Sequence, residues 1–220
     1  DLEIGPGMGV LTQFLLQKEQ LNFRAIDLDH ESINYLKEHY PFRRDHFIYG
    51  DFLKEDVSKY FDDCYAIIGN FPYNISSQIL FNIYENRDLI PEMVGMFQKE
   101  VADRVASGPG KKSYGILSVL LQAFYNIDYL FTVHEHSFDP PPKVKSAVIR
   151  LKRNDIKQLE CNHDKFKTVI KTAFNQRRKT IRNSLKSMGI EDVKHLEIFS
   201  KRPEQLSVQE FVDLTNLVCS

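Results

Sequence analysis

Asp1-Leu-Glu-Ile-Gly-Pro-Gly-Met-Gly-Val-Leu-Thr12 reads as a short apolar strand, a tight glycine turn and the opening of a helix. Glycines belong where the backbone turns sharply from strand to helix and a ligand must approach the main chain closely. Beyond this turn, β-type runs at 1–4, 23–27, 46–49, 65–69, 93–98, 129–134 and 144–151 alternate with helical patterns at 10–18, 31–39, 76–84, 99–106 and 116–124. Such alternation predicts βαβ units and a mainly parallel, doubly wound α/β sheet. The last two runs are joined through Asp139-Pro-Pro-Pro142, which suits an antiparallel pair at the sheet edge. After residue 151 the strand-like runs stop. Helical periods at 163–174, 178–188 and 207–218 take over, the second ended by Gly189 and the third opened by Ser207 and Glu210 at capping-box spacing. The expected organisation is an α/β domain over 1–151 and a small helical domain over 152–220.

A chain of 220 residues with 42% hydrophobic and 27% charged side chains can bury an ordered core. No apolar stretch approaches the ~18–20 residues that cross a bilayer. The first residues lack the basic start and apolar run of a signal peptide. They fall inside a motif instead, so further residues are expected upstream of Asp1. Cys64, Cys161 and Cys219 are far apart and show no CxxC spacing, which speaks against a zinc site or disulfide framework and fits a reducing cytoplasm. His134 and His136 share a strand face without a Cys or carboxylate at ligand spacing, so they read as surface histidines and no metal is expected. The net charge of −1 hides an asymmetry. Residues 1–151 carry 15 Lys+Arg against 21 Asp+Glu, a balance of −6, whereas 152–202 carry 14 against 6, a balance of +8. A basic segment attached to an acidic domain points to a polyanionic partner, with a solvated helical face as the plainer alternative.

The turn is GxGxG, at Gly5, Gly7 and Gly9, and not the GxGxxG of a dinucleotide fold. Glu3, just before it, would repel a pyrophosphate but suits a ligand with a cationic amino-acid end, which favours S-adenosylmethionine. Asp27 ends the second strand, where a carboxylate can accept both ribose hydroxyl protons, with Leu28 beside it. Asp51 follows the third strand and can bond an adenine amino group, with Phe52 against the ring. Asp29 reads as a helix N-cap.

The fourth strand delivers Asn70-Phe-Pro-Tyr73. An exocyclic adenine amine is a poor nucleophile because its lone pair is delocalised into the ring. Acceptors for its protons favour the pyramidal nitrogen that can attack a sulfonium methyl group, and the Asn70 side-chain oxygen and Phe71 carbonyl supply two. Pro72 stiffens the turn, and Tyr73 offers a face for a base that has left its stack.

Taken together, Glu3–Thr12, Asn70-Phe-Pro-Tyr-Asn-Ile-Ser76, Gln98-Lys-Glu-Val-Ala-Asp-Arg104, Tyr114-Gly-Ile-Leu-Ser-Val119, Phe138-Asp-Pro-Pro-Pro-Lys-Val-Lys-Ser-Ala-Val148 and Arg177-Arg-Lys-Thr-Ile-Arg-Asn-Ser-Leu185 resemble the KsgA/RsmA family of rRNA adenine N6-dimethyltransferases, relatives of the Erm and mitochondrial TFB-type enzymes. The matches keep the family's order over nearly the whole chain. The resemblance implies a Rossmann-like class I methyltransferase domain and cofactor contacts at Gly5, Asp27, Asp51 and Asn70. It also implies a flipped adenine held between Tyr73 and Phe138, and as substrate two adjacent adenosines in the 3′-terminal hairpin of 16S rRNA within an immature 30S subunit. Where the family usually has Leu, this chain has Phe71, and the family's upstream Gln-His-Phe-Leu cofactor-contacting motif is not among these residues.

Arg177, Arg178, Lys179, Arg182 and Lys186 fall within ten residues, and their near-helical spacing places several cations on one expected helical face. Such a face suits RNA phosphates, and Lys143 and Lys145 extend the candidate surface. The rival readings are an Erm-like 23S rRNA methyltransferase, a DNA adenine methyltransferase and a non-catalytic ribosome-assembly or RNA-binding factor. The 177–185 segment favours the small-subunit substrate, and Asn70, Pro72 and Tyr73 favour catalysis. Nothing in the sequence demands a second subunit, so a monomer is expected, without membrane association.

Overall fold

A computed structural model describes residues 1–18 and 20–218. Seven strands, β1 (Leu2–Ile4), β2 (Arg24–Asp27), β3 (Phe47–Tyr49), β4 (Ile67–Asn70), β5 (Glu92–Gln98), β6 (Tyr125–Val133) and β7 (Ser146–Arg153), form one sheet in the order β3-β2-β1-β4-β5-β7-β6. The first five run parallel, and β7 runs antiparallel to β5, from Glu92 opposite Lys152 to Gln98 opposite Ser146. β6 and β7 are neighbours at one edge, as the proline-rich turn led us to expect. The order turns back at β1, so the crevice beyond the carboxyl ends of β1 and β4 is the place where such a sheet binds ligands.

Two compact units divide the chain: 1–102 with 128–153, and 103–127 with 154–220. The first unit holds the sheet, apart from the first three residues of β6, with α1 (Thr12–Leu15), α2 (His30–His39), α3 (Ser76–Glu85) and the first residues of α4 (Lys99–Ala106). A cluster of Phe23, Ala25, Ile33, Leu36 and Phe47 seats α2 on the sheet. The helix expected over 10–18 contracts to α1. Four-residue hydrogen bonds run from the Gln13 amide to the Gly9 carbonyl through the Leu16 amide to the Thr12 carbonyl, and beyond them the Lys18 amide bonds only three residues back, to Leu15, closing a tight turn.

The second unit contains α5 (Ile116–Gln122), α6 (His163–Asn175), α7 (Ile181–Ser184) and α8 (Val208–Val218). Residues 103–127 join this unit although the sequence division placed them with the sheet. The physical reason is α5, whose Leu117, Val119, Leu120 and Leu121 are all buried, so it needs apolar partners around its whole circumference. It finds them on α6 and α8, where Phe174 and Phe211 stack with ring centroids 5.8 Å apart. α8 carries the expected capping box: Glu210 N–H donates to Ser207 Oγ (3.1 Å), and Ser207 N–H donates to Glu210 Oε2 (2.8 Å). Cys64 is an exposed free thiol, and Cys219 lies outside the described residues. Among the described residues, no helix is long and apolar enough to cross a membrane.

The helix expected over 178–188 is not continuous, and this corrects the shared cationic face. In such a helix the Ile181 amide would donate to the Arg177 carbonyl; instead it donates to the Lys201 carbonyl (2.8 Å), while the buried Ile181 and Leu185 anchor the segment. Residues 176–179 form a turn, Thr180 is extended, α7 spans one turn, and a 3-10 turn over Lys186–Met188 ends at Gly189 with φ +73°.

Candidate active site

All three glycines of the turn, Gly5, Gly7 and Gly9, have left-handed φ, and the last two serve different ends. Gly9 (φ +84°) packs so close to α2 that a Cβ would sit 2.8 Å from Leu36 Cδ2. Gly7 (φ +52°) has open space where a Cβ would stand, and its N–H donates to Asp27 Oδ2 (3.2 Å). The turn is thus closed on its scaffold side, open on the other and tied to the end of β2.

Glu3 is a carboxylate in the middle of a central buried strand, only 1% exposed. Thr12 Oγ1 donates to its Oε2 (2.7 Å). Burial pushes its pKa up to about 7; the Thr12 hydrogen bond works against this, and the nearby charge of Asp27 adds to the rise. Glu3 lines a cavity of about 590 Å³ whose other walls include Gly5, Gly7, Met8, Asn70, Met96 and Phe131. Apart from Glu3 and Asn70 the named walls offer little polar side-chain surface, so a cation entering this space meets one strongly favourable partner.

A second cavity, about 70 Å³, shares Gly5 with the first and is lined by Asp27, Leu28, Asp51, Phe52, Leu53 and Ile75 among others. The structure therefore brings together Asp27, Leu28, Asp51 and Phe52, from the ends of β2 and β3. Both carboxylates also hold backbone: Asp27 Oδ1 accepts from Asp29 N–H (3.0 Å), and Asp51 Oδ1 accepts from Leu53 N–H (3.0 Å) while Oδ2 pairs with Lys54 (3.2 Å). Asp29 is the N-cap of α2, as expected, accepting from the amides of Glu31 and Ser32 and from Ser32 Oγ.

The tetrapeptide 70–73 leaves β4 beside the glycine turn; a Cβ on Gly5 would lie 3.9 Å from both the Asn70 carbonyl oxygen and Pro72 Cδ. Asn70 and Pro72 are exposed, Tyr73 is half-buried, and the Phe71 ring is buried at 4.9 Å from that of Phe97. The Phe71 amide donates to the Met96 carbonyl (3.2 Å), and Ser76 Oγ donates to the Pro72 carbonyl (3.1 Å). Tyr73 Oη lies 2.5 Å from Oγ of the fully buried Ser146. Ser146 thus fixes the free end of the Tyr73 ring, a role that sequence reading left unassigned although the residue stands inside a quoted motif. Phe138 is half-buried on the β6–β7 connection, where Lys143 and Lys145 are exposed.

Of the cationic candidates in the second unit, Arg178, Lys179, Arg182 and Lys186 are exposed and Arg177 is half-buried. Arg177 Nη2 donates to the Lys111 carbonyl (3.4 Å), and its guanidinium lies 6.0 Å from the Phe174 ring centroid. Arg182 Nε donates to the Lys194 carbonyl (3.0 Å). The cluster is carried by a turn and two short helical turns, and the loop bearing Lys111 and Lys112 adjoins it at Arg177. Lys111 and Arg177 are 66 positions apart in the sequence, so no local spacing signals this proximity.

Comparison with known proteins places this architecture. The ribosomal RNA adenine dimethylase family model matches residues 2–218. The ribosomal RNA small subunit methyltransferase A of Cytophaga hutchinsonii is 60% identical over 218 residues, covering 99% of this chain and 84% of the relative. The crystal structure of a dimethyladenosine transferase from Plasmodium falciparum superposes with a TM-score of 0.81 at 27% identity, covering 97% of this chain and 87% of the other. That of the 23S rRNA methyltransferase ErmE gives 0.69 at 22% identity, covering 98% and 90%, a likeness of fold. The sheet and its helices are those of the Rossmann-like methyltransferases, with a C-terminal helical region.

Proposed function

The chain belongs to the ribosomal RNA adenine dimethylase family, and on that premise we propose that it transfers methyl groups from S-adenosylmethionine to N6 of two adjacent adenosines in the 3′-terminal hairpin of 16S rRNA. The observation that carries the reading is the placement of Asn70-Phe71-Pro72-Tyr73 at the end of β4, in contact range of the glycine turn and opening on the cavity that Glu3 lines.

The residues fit the cofactor. The larger cavity offers the buried Glu3 to an amino-acid ammonium group, and the smaller one offers Asp27 to ribose hydroxyls, Asp51 to an adenine amine and Phe52, Leu28 and Ile75 as apolar walls. Gly5 and Gly7 leave the main chain open between them. When bound, S-adenosylmethionine supplies an electrophilic methyl group on a sulfonium centre. The protein's own contribution is positioning and hydrogen-bond acceptance. Asn70 Oδ1 and the Phe71 carbonyl accept hydrogen bonds from the two amino N–H groups of the flipped adenine and direct the nitrogen lone pair away from the ring plane. Tyr73, held by Ser146, and Phe138 stack on the base. Each transfer would form an N–CH3 bond as the S–CH3 bond breaks, leaving the cofactor as a thioether and releasing one amino proton to water; after the first, a single N–H remains to be held for the second.

The exposed cations Arg178, Lys179, Arg182 and Lys186, with Arg177, Lys143 and Lys145, contact rRNA phosphates in this reading. The substrate is the immature 30S subunit, the enzyme is a monomer, and it acts in the cytoplasm. The test offers labelled S-adenosylmethionine with immature 30S subunits, 50S subunits and duplex DNA separately, and identifies the modified nucleosides by mass spectrometry. N6,N6-dimethyladenosine in the 30S sample alone is expected. Label in the 50S sample would move the protein to an Erm-like activity, and no label in any sample would leave an assembly factor without catalysis.

A further inference from the structure

Two glycines face each other across the β4–β5 ladder: Gly69 pairs with Gly95 in register. Neither has a left-handed φ, so backbone conformation does not require glycine at either position. Glycine inside a paired strand commonly marks a close approach from above the sheet, and here the approaching group is the Phe71 ring. A Cβ on Gly95 would lie 2.1 Å from Phe71 Cε2, 2.8 Å from Cδ2 and 3.0 Å from Cζ. One on Gly69 would lie 2.8 Å from Phe71 Cε1 and 2.6 Å from the Ile4 carbonyl oxygen. The ring therefore folds back over its own strand and fills a slot whose floor is two missing side chains. It is 1% exposed, and the ring of Phe97 flanks it.

We infer that Gly95 is a positioning residue for methyl transfer: by admitting the Phe71 ring it fixes the main chain of residues 70–72, and Phe71 and Gly95 work as a matched pair. This rests on the proposed function, in which the Phe71 carbonyl accepts an amino proton of the adenine. The ring and that carbonyl are two substituents of one residue, whose amide is already held by the Met96 carbonyl. With the amide pinned and the ring slotted, the carbonyl has little freedom left. The pair also accounts for the departure from the family's usual Leu: the larger Phe71 side chain is admissible because position 95 contributes no Cβ. Gly69 does not serve as the test position, because a Cβ there would also strike the Ile4 backbone.

The test compares Gly95→Ala, Phe71→Leu/Gly95→Ala and Phe71→Ala with the wild type in the full protein, on immature 30S subunits. In Gly95→Ala the added methyl must tilt the ring, and a shift below an ångström in the acceptor is expected to lower kcat roughly tenfold or more. Gly95 borders the larger cavity with its backbone, but the added methyl points at the Phe71 ring. The Kd for S-adenosylmethionine, measured by calorimetry, therefore stays within about twofold. The smaller leucine side chain relieves the overlap, so the double variant recovers most of the lost kcat. A general packing defect would lower stability without that selective recovery. Wild-type kcat in Gly95→Ala sinks the inference, as does a well-folded double variant that stays as impaired as the single one. If Gly95→Ala does not fold, Phe71→Ala decides, since it empties the slot without overlap: lowered kcat with retained cofactor affinity supports the slot, and undiminished kcat overturns it. A wild-type protein without turnover on 30S subunits overturns the proposed function and the slot's role with it, whereas wild-type turnover beside an unimpaired Gly95→Ala removes the slot alone.

Discussion

Burial of Glu3 costs the folded chain stability at neutral pH, and the sign of that cost is testable. Its pKa is raised to about 7, whereas the unfolded carboxyl keeps its ordinary value of 4.5. The folded state thus holds the proton more tightly, and stability falls as pH rises from about 4.5 to about 7, the reverse of the usual paired carboxylate. Glu3→Gln imitates the protonated form and can keep the Thr12 hydrogen bond. It should therefore raise stability at pH 8 by up to roughly 3 kcal/mol, a gain that fades toward pH 4.5, while weakening S-adenosylmethionine binding. Urea unfolding at pH 5 and pH 8 decides it, and a gain independent of pH would contradict the assignment. Ser146 and Tyr73 allow a different kind of test, because each variant removes the same bond. Ser146→Ala and Tyr73→Phe should each cost about 1 kcal/mol of stability and lower kcat. The double variant should lie close to either single one, so additive losses would show that the two hydroxyls act separately.

At the scale of elements, the proposed function gives two aspartates two residues apart different weights: both hold backbone, but only Asp27 lines a cavity. Asp29 caps α2 with three accepted hydrogen bonds, so Asp29→Ala should lower stability by about 1 kcal/mol and leave cofactor affinity within about twofold. Asp27→Ala, at the cavity between β2 and β3, should lower that affinity sharply in calorimetry. Equal losses of affinity in both variants would remove the distinction. The cap was legible in the sequence because it follows from position, a carboxylate just before a helical period, and so was the placement of Asp27 at a strand end. The strands were legible for a similar reason, since apolar runs between turn residues depend on little beyond local pattern. The helix expected over 178–188 was not, because the Ile181 amide is taken by the Lys201 carbonyl, twenty positions further along the chain. The same limit hid the membership of 103–127 in the second unit and the anchoring of Tyr73 by Ser146, which lie 73 positions apart. Gly95 read as one more strand residue, since nothing in its neighbours announces a ring arriving from Phe71.

For the molecule as a whole, a net charge of −1 conceals a sheet-bearing stretch at −6 over residues 1–151 and a segment at +8 over 152–202. If that segment binds rRNA through phosphates, affinity must fall with salt in proportion to the number of cations engaged, each neutralised phosphate adding about 0.7–0.9 to the slope. The structure ranks the cations for this purpose. Arg177 and Arg182 each give a guanidinium hydrogen bond to a main-chain carbonyl, at Lys111 and Lys194, so their removal disturbs the fold as well as the charge. Arg178 and Lys179 are exposed on the turn that replaces the expected helix. Arg178→Ala/Lys179→Ala should then weaken binding to 30S subunits and reduce the slope of log Kobs against log salt by roughly 1.5, if each side chain meets one phosphate. Melting temperature and S-adenosylmethionine affinity should stay near those of the wild type, because neither residue touches the sheet's cavities. An unchanged slope would mean that these cations are solvated surface. The phosphate contacts would then have to come from elsewhere, with Lys111 and Lys112, next to Arg177, as the first positions to replace.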